Sequence, residues 1–404
     1  MTTIPTSLSG DATRLGGWRI GQRRTIYLCA IVFTVCLFFM LAYIKIIWKA
    51  YQEQTPGHLS LYGDFFAIWS YARIITQHPA IELYDFATLH ARQIELGMGP
   101  DHIYPFPYPP TFLFLIWPLN LLGYDADYLV WTLGSLALFV WVVRQTCSNR
   151  LFFTLGIIVA PATTAAIFAG QSGFIAATLM TAGIRLAKSR PIVAGILLGL
   201  LSYKPQLGLL VPIALVASGL WATIGVACAT VVVMAAAATL AFGWDIWHAW
   251  LAMLPAYADI FDASTTPLRS RPTVLANLQM LGVSLPLARL IQALVAVVVA
   301  VSIWRCFRRE PGRLAAAALL VGTFLATPHA FYYDLPMTLA AMVLFIEDRL
   351  TTTATFSSAE VVVLTTVTIF PVFMLLNAVA LPISALPLLL LFALIVWRQN
   401  TAGS

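Results

Sequence analysis

Apolar runs of about 17 to 25 residues recur along this 404-residue chain, and each has about the length of α-helix that crosses the hydrocarbon core of a bilayer. Backbone amides find no water in lipid, so such runs fold as helices, and a chain built largely of them is expected to be an all-α polytopic membrane protein. Composition enters at one point: 60% of the residues are hydrophobic and 10% are charged. A net charge of +6 would suggest nucleic acid in a soluble protein. Here the basic residues sit in short loops between apolar runs, where they set orientation, and no nucleic-acid partner follows. Cys29, Cys36, Cys147, Cys228 and Cys306 lie within or at the inner ends of the runs without a CxxC pair, which indicates neither disulfides nor a cysteine metal site.

Charge decides the topology. Arg14, Arg19, Arg23 and Arg24 precede a first span at Ile26–Trp48 that is too long for a signal-peptide core, so residues 1–25 are expected to be a cytoplasmic tail. Residues 49–106 form a long loop with Glu53, Asp64, Glu82, Asp85, Glu95 and Asp101 against only Lys49, Arg73 and Arg92; it should face outward. The run Thr111–Leu122 is short and interrupted by Pro118. Were it to cross, Arg144, Arg150, Arg185, Lys188 and Arg190 would end outside, against the positive-inside rule. It is therefore expected to be re-entrant or interfacial, extending the first outer region to residue 124. Crossings then alternate through 125–146, 151–168, 172–187, 192–203, 206–219 and 221–243, leave a second outer loop at 244–284, and resume at 285–304, 314–327, 335–347, 358–379 and 381–397. With the first span this makes about twelve crossings, both termini inside. Residues 26–348 form the expected catalytic core and 349–404 a C-terminal helical hairpin and tail.

On this topology the polar chemistry is one-sided. His58, His78, His90, His102, His248 and His329 all fall outside, as do most carboxylates. So do three polar breaks between spans: Gly170–Gly173, Ser202–Gln206 and Thr327–Asp334. The stretch from Tyr62 to Arg73 opens with a lone carboxylate, Asp64, ahead of an aromatic segment whose apolar residues (Phe65, Trp69, Ala72) recur at helical spacing, so a short helix in the membrane interface is expected. Asp64 has two readings: an N-cap of that helix, or a catalytic carboxylate. A second amphipathic stretch, Tyr84–Leu96, is expected along the same interface.

The cations have paired readings too. Lys204, inside a nearly continuous apolar hairpin, either snorkels at a helix end or is kept for a partner such as a phosphate. Arg269 and Arg271 in the second outer loop are forked cations suited to phosphate, or solvated loop residues. A lipid-linked substrate, its chain in the bilayer and its phosphate and head group at the outer surface, would use such a layout: a base near Asp64 takes the acceptor proton while cations stabilise the departing phosphate. No P-loop or strand-borne GxGxxG marks a nucleotide domain, so an activated donor would arrive within the membrane.

Tyr62-Gly63-Asp64-Phe65 with Leu83-Tyr84-Asp85, then Tyr108-Pro109-Pro110, Gly170-Gln171, the Ala194–Gly199 run leading to Lys204-Pro205, and Pro328-His329 with Tyr332-Tyr333 resemble the pattern of glycosyltransferase family 87, over about residues 26–348. The resemblance implies a GT-C fold, a polyprenyl-phosphate sugar donor with mannose foremost, a lipid or glycan acceptor, and Asp64 as general base. Tyr62, Trp69, Asp85, Gln171, His329, Tyr332 and Tyr333 are the candidate substrate-binding residues beside it, with Lys204, Arg269 and Arg271 toward the donor phosphate. The localisation the resemblance implies is a bacterial inner membrane with the site on the periplasmic side. No cofactor is expected, and no metal: Asp64 and Asp85 lie near several histidines in sequence but without HxxxH or DxD spacing. The competing expectation is a transporter or flippase of envelope glycan precursors, which would place ionisable groups at mid-membrane and often show related halves; no internal repeat is visible.

Overall fold

The computed structural model describes residues 19–20, 22–52, 64–263, 268–352, 355–375 and 382–401. Tyr62 and His58 lie outside them. The expectation of an all-α chain holds, apart from a minimal bridge in which Arg19–Ile20 pairs antiparallel with Phe356–Ser357. That bridge ties the start of the described chain to the segment between two C-terminal helices.

After α1 (Gln22–Gln52), the first outer region supplies α2 (Phe65–Gln77), a 3₁₀ turn at Ala80–Tyr84, α3 (Phe86–Glu95) and α4 (Phe112–Ile116), which runs into a second 3₁₀ turn at Trp117–Asn120. The Thr111–Leu122 segment thus contains only two short helical pieces, the second opening around Pro118, far less than the roughly 30 Å a crossing needs. It packs on α2. The expectation that α2 lies on a membrane interface needs correcting: every residue from Phe65 to Ala72 is buried. Contacts with α4 and its turn on one side and Tyr124 and Tyr128 on the other enclose the helix in protein.

Apolar runs give the long helices α5 (Tyr124–Arg144), α12 (Trp221–Phe242), α15 (Leu285–Arg309) and α18 (Ser358–Leu375, with Pro371 inside it), and these four are long and apolar enough to cross a membrane. Between α5 and α12 the chain is broken by proline and glycine into α6 (Arg150–Val159), α7 (Pro161–Ala169), α8 (Gly173–Leu186), α9 (Pro191–Leu200), α10 (Pro205–Gly208) and α11 (Val211–Ala217). Counting α6 and α7, bent by 56°, as one broken span gives five among the described residues. About twelve crossings result when the shorter apolar runs are counted as spans too; the helices formed there, α8, α9, α16 and α19 among them, have only 10–17 residues, and short or interrupted helices are tolerated where protein surrounds the freed backbone groups. The remaining elements are α13 (Asp245–Ala263), α14 (Val274–Met280), α16 (Arg313–Ala326), α17 (Pro336–Thr352) and α19 (Ala385–Thr401).

The core centres on α16, apolar and buried on every side from Ala317 to Ala326, as a helix with no polar face must be. It packs against α15, α17 and α19. Where α16 ends, the chain turns through Thr327–Leu335 into α17, so the buried helix delivers that polar break against α7 and α8. At the other end, Glu360 is fully buried and is bridged by Arg349 (Nε–Oε1 2.9 Å) and Arg398 (2.8 Å), joining α17, α18 and α19. Small residues set the closest helix pair: Gly195 and Gly199, one turn apart on α9, face Val226, Ala227 and Thr230 of α12, the spacing that lets membrane helices approach backbone to backbone.

A Cβ at Gly199 would stand 2.6 Å from Thr230 Cβ and 2.8 Å from the Ala227 carbonyl oxygen. Gly199→Leu should therefore destabilise by about 1–3 kcal/mol or more as an overpacked interface. Gly156→Ala, where nothing lies within 4 Å, should leave the unfolding temperature in detergent unchanged or slightly raised. Equal behaviour of the two variants would show that the α9–α12 contact does not limit stability.

Candidate active site

Asp64 occupies the N-cap position of α2 (φ −75°, ψ −2°), yet its side chain accepts no hydrogen bond from the helix amides; only its carbonyl does, from Ala67 N at 3.1 Å. The capping role that Asp so often fills is left unused. Asp85 shows the contrast. Its carboxylate accepts from Thr88 N at 2.8 Å and caps α3, the residue is exposed, and the amide bonds hold its pKa below the ordinary value. Of the two loop carboxylates singled out in the sequence, Asp85 is committed to helix structure and Asp64 is not.

Asp64 instead takes a hydrogen bond from the side chain of Gln171. The Gln171 Oε1 accepts from the hydroxyl of Tyr108 at 3.1 Å, which leaves its amide N–H for Asp64. Burial dominates the electrostatics: although Asp64 is half-buried by surface, the protein packed around its carboxyl pushes its pKa up to about 6, against the opposing pulls of the Gln171 bond and the Lys204 charge.

Two glycines bring these segments together. Gly170 ends α7 in the left-handed conformation (φ +62°), and a Cβ there would overlap the side chain of Phe65, the residue after Asp64. Gly173 opens α8 against the Tyr333 carbonyl, which any Cβ would overlap. Gln171 therefore sits between the start of α2 and the break after α16. Trp131 Nε1 donates to Gly170 O (3.0 Å) and Tyr203 Oη to Ser172 O (3.1 Å), fixing the turn.

The irregular segment Tyr104–Tyr108 forms another wall. Tyr71 Oη donates to Pro105 O (2.7 Å), Tyr84 Oη to Tyr108 O (2.9 Å), and buried Gln93 bonds the Tyr104 backbone in both directions, each at 3.0 Å. The second outer loop closes over it: Trp250 Nε1 donates to Pro107 O (3.1 Å), and Ser270 O accepts from Tyr332 N (2.9 Å). Burial, and after it the nearby Asp64 charge, raises the phenol pKa values of Tyr104, Tyr257, Tyr332 and Tyr333, that of Tyr104 to about 12. Tyr257 also feels Arg271, which is fully buried; Arg269 is exposed.

Lys204 is paired. Its Nζ lies 2.7 Å from Asp334 Oδ1, both side chains are only 2% exposed, and it stands 5.1 Å from the centroid of the Tyr333 ring. Asp334 Oδ2 accepts in addition from Phe331 N at 3.3 Å. The structure thus gathers Asp64, Gln171, Lys204, Arg271, Tyr332 and Tyr333 in one neighbourhood. It sets Asp85 and Arg269 at the surface, packs Trp69 into the core edge-on to Tyr124 (5.0 Å), and leaves His329 half-buried with its amide bonded to Thr327 Oγ1. Sequence reasoning missed Asp334, Tyr108, Tyr104 and Tyr257. For Asp334 a signal existed, since a lysine in an apolar hairpin demands a counter-charge, and Asp334 is the carboxylate in a neighbouring break. Among the described residues, no group of three or more His, Cys, Asp and Glu gathers as a metal site.

The model of glycosyltransferase family 87 matches residues 106–328. The chain belongs to glycosyltransferase family 87. Membership makes it a membrane glycosyltransferase acting on a sugar donor and an acceptor. The family match is narrower than residues 26–348: it takes in Tyr108, Gln171, Lys204 and Arg271 and stops at Pro328, so Asp64, on α2, enters the site through geometry. No curated protein and no solved structure is detectably similar to the chain.

The buried ion pair carries a prediction about this family-87 chain. Lys204→Met leaves Asp334 charged and unpaired inside the protein and should destabilise by roughly 3–5 kcal/mol, whereas Lys204→Met with Asp334→Leu, an apolar pair, should recover most of that loss. Thermal unfolding in detergent reads both. A single variant as stable as wild type would show that the pair is not what holds the two breaks together.

Proposed function

We propose that the protein transfers a sugar, mannose foremost, from a polyprenyl-phosphate donor to a hydroxyl of a lipid or glycan acceptor, at the outer face of a bacterial inner membrane, with Asp64 as general base. The observation that carries this reading is Asp64 itself: a carboxylate beside an N-terminus it does not cap, held by Gln171 and ringed by tyrosines in a chain of this family. A pKa of about 6 suits a general base working near neutral pH, because it stays ionised yet is basic enough to accept a proton.

In the proposed step the acceptor oxygen forms its bond to the anomeric carbon as the bond from that carbon to the phosphate oxygen breaks. The hydroxyl proton passes to Asp64, and the negative charge leaves on the polyprenyl phosphate. Arg271 is the buried forked cation suited to that phosphate, with Arg269 at its exposed approach. Lys204 is already neutralised by Asp334, so it contributes through orientation of the Tyr333 segment and the N–H groups that Asp334 does not use. Tyr332, Tyr333 and His329 line the sugar side, with Gln171 positioning the base.

Purified protein given radiolabelled polyprenyl-phosphate mannose and a membrane-lipid extract should label a lipid or glycan product; no transfer from any polyprenyl-phosphate sugar by folded protein would overturn the proposal. Full activity is expected in excess EDTA, and a loss restored by one divalent ion would show a metal requirement.

Asp64→Asn separates chemistry from structure. An amide cannot take the acceptor proton, so turnover should fall by about 10²- to 10⁴-fold. Stability should not fall, because no cap bond is lost. The sign runs the other way: a folded-state pKa of about 6 against an ordinary 3.8 means that protonation stabilises the fold, a contribution fully present below the unfolded value and lost as pH rises through about 6. At pH 8 the neutral Asn variant should therefore unfold at the same temperature as wild type or higher. In the wild type, kcat/KM should drop about tenfold per pH unit below about pH 6. A normal turnover in the Asn variant with saturating donor and acceptor would remove Asp64 from the chemistry.

A further inference from the structure

At the end of the molecule opposite Asp64, a cavity of about 440 Å³ is lined by Trp304, Arg305, Arg308, Arg309 and Asn400. It lies between the C-terminal ends of α15 and α19, which are clipped together: Arg309 Nη1 donates to Asn400 Oδ1 at 2.9 Å and Gln399 Nε2 to Glu310 O at 2.9 Å. The cleft is a fixed feature of two bonded helix ends. Its lining holds three arginines and no carboxylate.

From this cavity we infer a binding site for the phosphate head group of an anionic membrane lipid, with Arg305 and Arg308 as its forked ligands. Arg309 is engaged by Asn400; Arg305 and Arg308 are exposed and enter no ion pair among the described residues. Guanidinium forks bind phosphate oxygens in pairs, and several on one wall fit a phosphodiester better than scattered point charges do.

The helix below them argues for a lipid. Leu287, Leu290, Leu294, Val298 and Val301 are exposed and recur at three- and four-residue steps, so they form one ridge of α15 that continues into Arg305 and Arg308. At 1.5 Å per residue, Arg305 lies about 30 Å from Leu285 along the axis, the thickness of the hydrocarbon core. An acyl chain lying along the ridge would bring its head group to the arginines, with Trp304, also exposed, at the depth where amphipathic rings favour the interface. Basic pockets between helices at the cytoplasmic surface suit anionic head groups in this way. The positive-inside rule accounts for arginines at this end, but it asks only for charge in a loop, not for three forks around one cavity.

The full-length protein in detergent, titrated with diphosphatidylglycerol, phosphatidylglycerol, phosphatidylcholine or inorganic phosphate and read by native mass spectrometry and thermal unfolding, tests this. The anionic lipids should bind and raise the unfolding temperature, and phosphatidylcholine should not. Arg305→Gln with Arg308→Gln should weaken anionic-lipid binding by roughly tenfold or more. Arg305→Lys with Arg308→Lys keeps the charge that sets topology, so it should insert and fold normally while losing most of the same affinity. Wild-type affinity in the Lys variant, equal binding of phosphatidylcholine, or an effect reproduced by inorganic phosphate alone would each overturn the assignment.

Discussion

A lysine inside an apolar bundle must find an opposite charge or lose its own, and much of the outer end follows from how Lys204 meets that demand. The partner, Asp334, is 130 residues away in sequence, in the turn that the central helix delivers. Joining them fixes the break before α10 against the break after α16. Tyr333, which follows Tyr332 in that turn, then lies under the lysine and against Gly173. Tyr332 is bonded through its amide to the second outer loop. One ion pair therefore registers two helix breaks and a loop around the place where Asp64 stands. Such a pair adds little net stability over an apolar one; its use is in specifying which helix ends meet.

Asp64 lies next to this arrangement without belonging to it. Its hydrogen-bond partner, Gln171, is held by Tyr108 and by two glycines that permit approach on both sides. A carboxylate in such surroundings costs stability when ionised, and a chain seeking only a capped helix would gain by placing its oxygens on the amides, as Asp85 does. A conformation that forgoes the cap and accepts the burial is what the proposed general-base role requires of Asp64.

The architecture was legible where the signal was length and charge. Long apolar runs became α5, α12, α15 and α18, and the segment Thr111–Leu122, expected from the positive-inside rule not to cross, holds only the short helix Phe112–Ile116 and a 3₁₀ turn. Legibility failed where tertiary contacts override pattern. The aromatic spacing after Asp64 reads as a surface amphipath, because periodicity cannot tell a helix lying on lipid from one wrapped by Tyr124, Tyr128 and α4. Pro161 divides the run 151–168 into α6 and α7, and hydropathy counts as spans several runs whose helices reach only 10–17 residues. At the site, the sequence could mark Lys204 as needing a partner and Gln171 as part of a polar break. It could not show that the partner was Asp334, or that Tyr104 and Tyr257 approach Asp64 and Tyr108 its neighbour Gln171 from remote segments, since those contacts depend on how the loops fold over one another.

The two ends of the protein handle charge differently, and the difference bears on where motion is tolerated. At the far end Glu360 is bridged by Arg349 and Arg398, its second oxygen accepts from Ser357 N, and Ser148 is bonded through its amide and hydroxyl to Glu347. These contacts tie helix ends directly to one another. At the outer end the ties run mostly from tyrosine and tryptophan side chains to loop carbonyls at Gly170, Ser172, Pro105, Tyr108 and Pro107. Such bonds pin loops individually and carry no charge of their own to break. On the proposed reading the sugar donor and the acceptor meet at this end, among loops held by separate neutral bonds over helix ends that the buried Lys204–Asp334 pair joins.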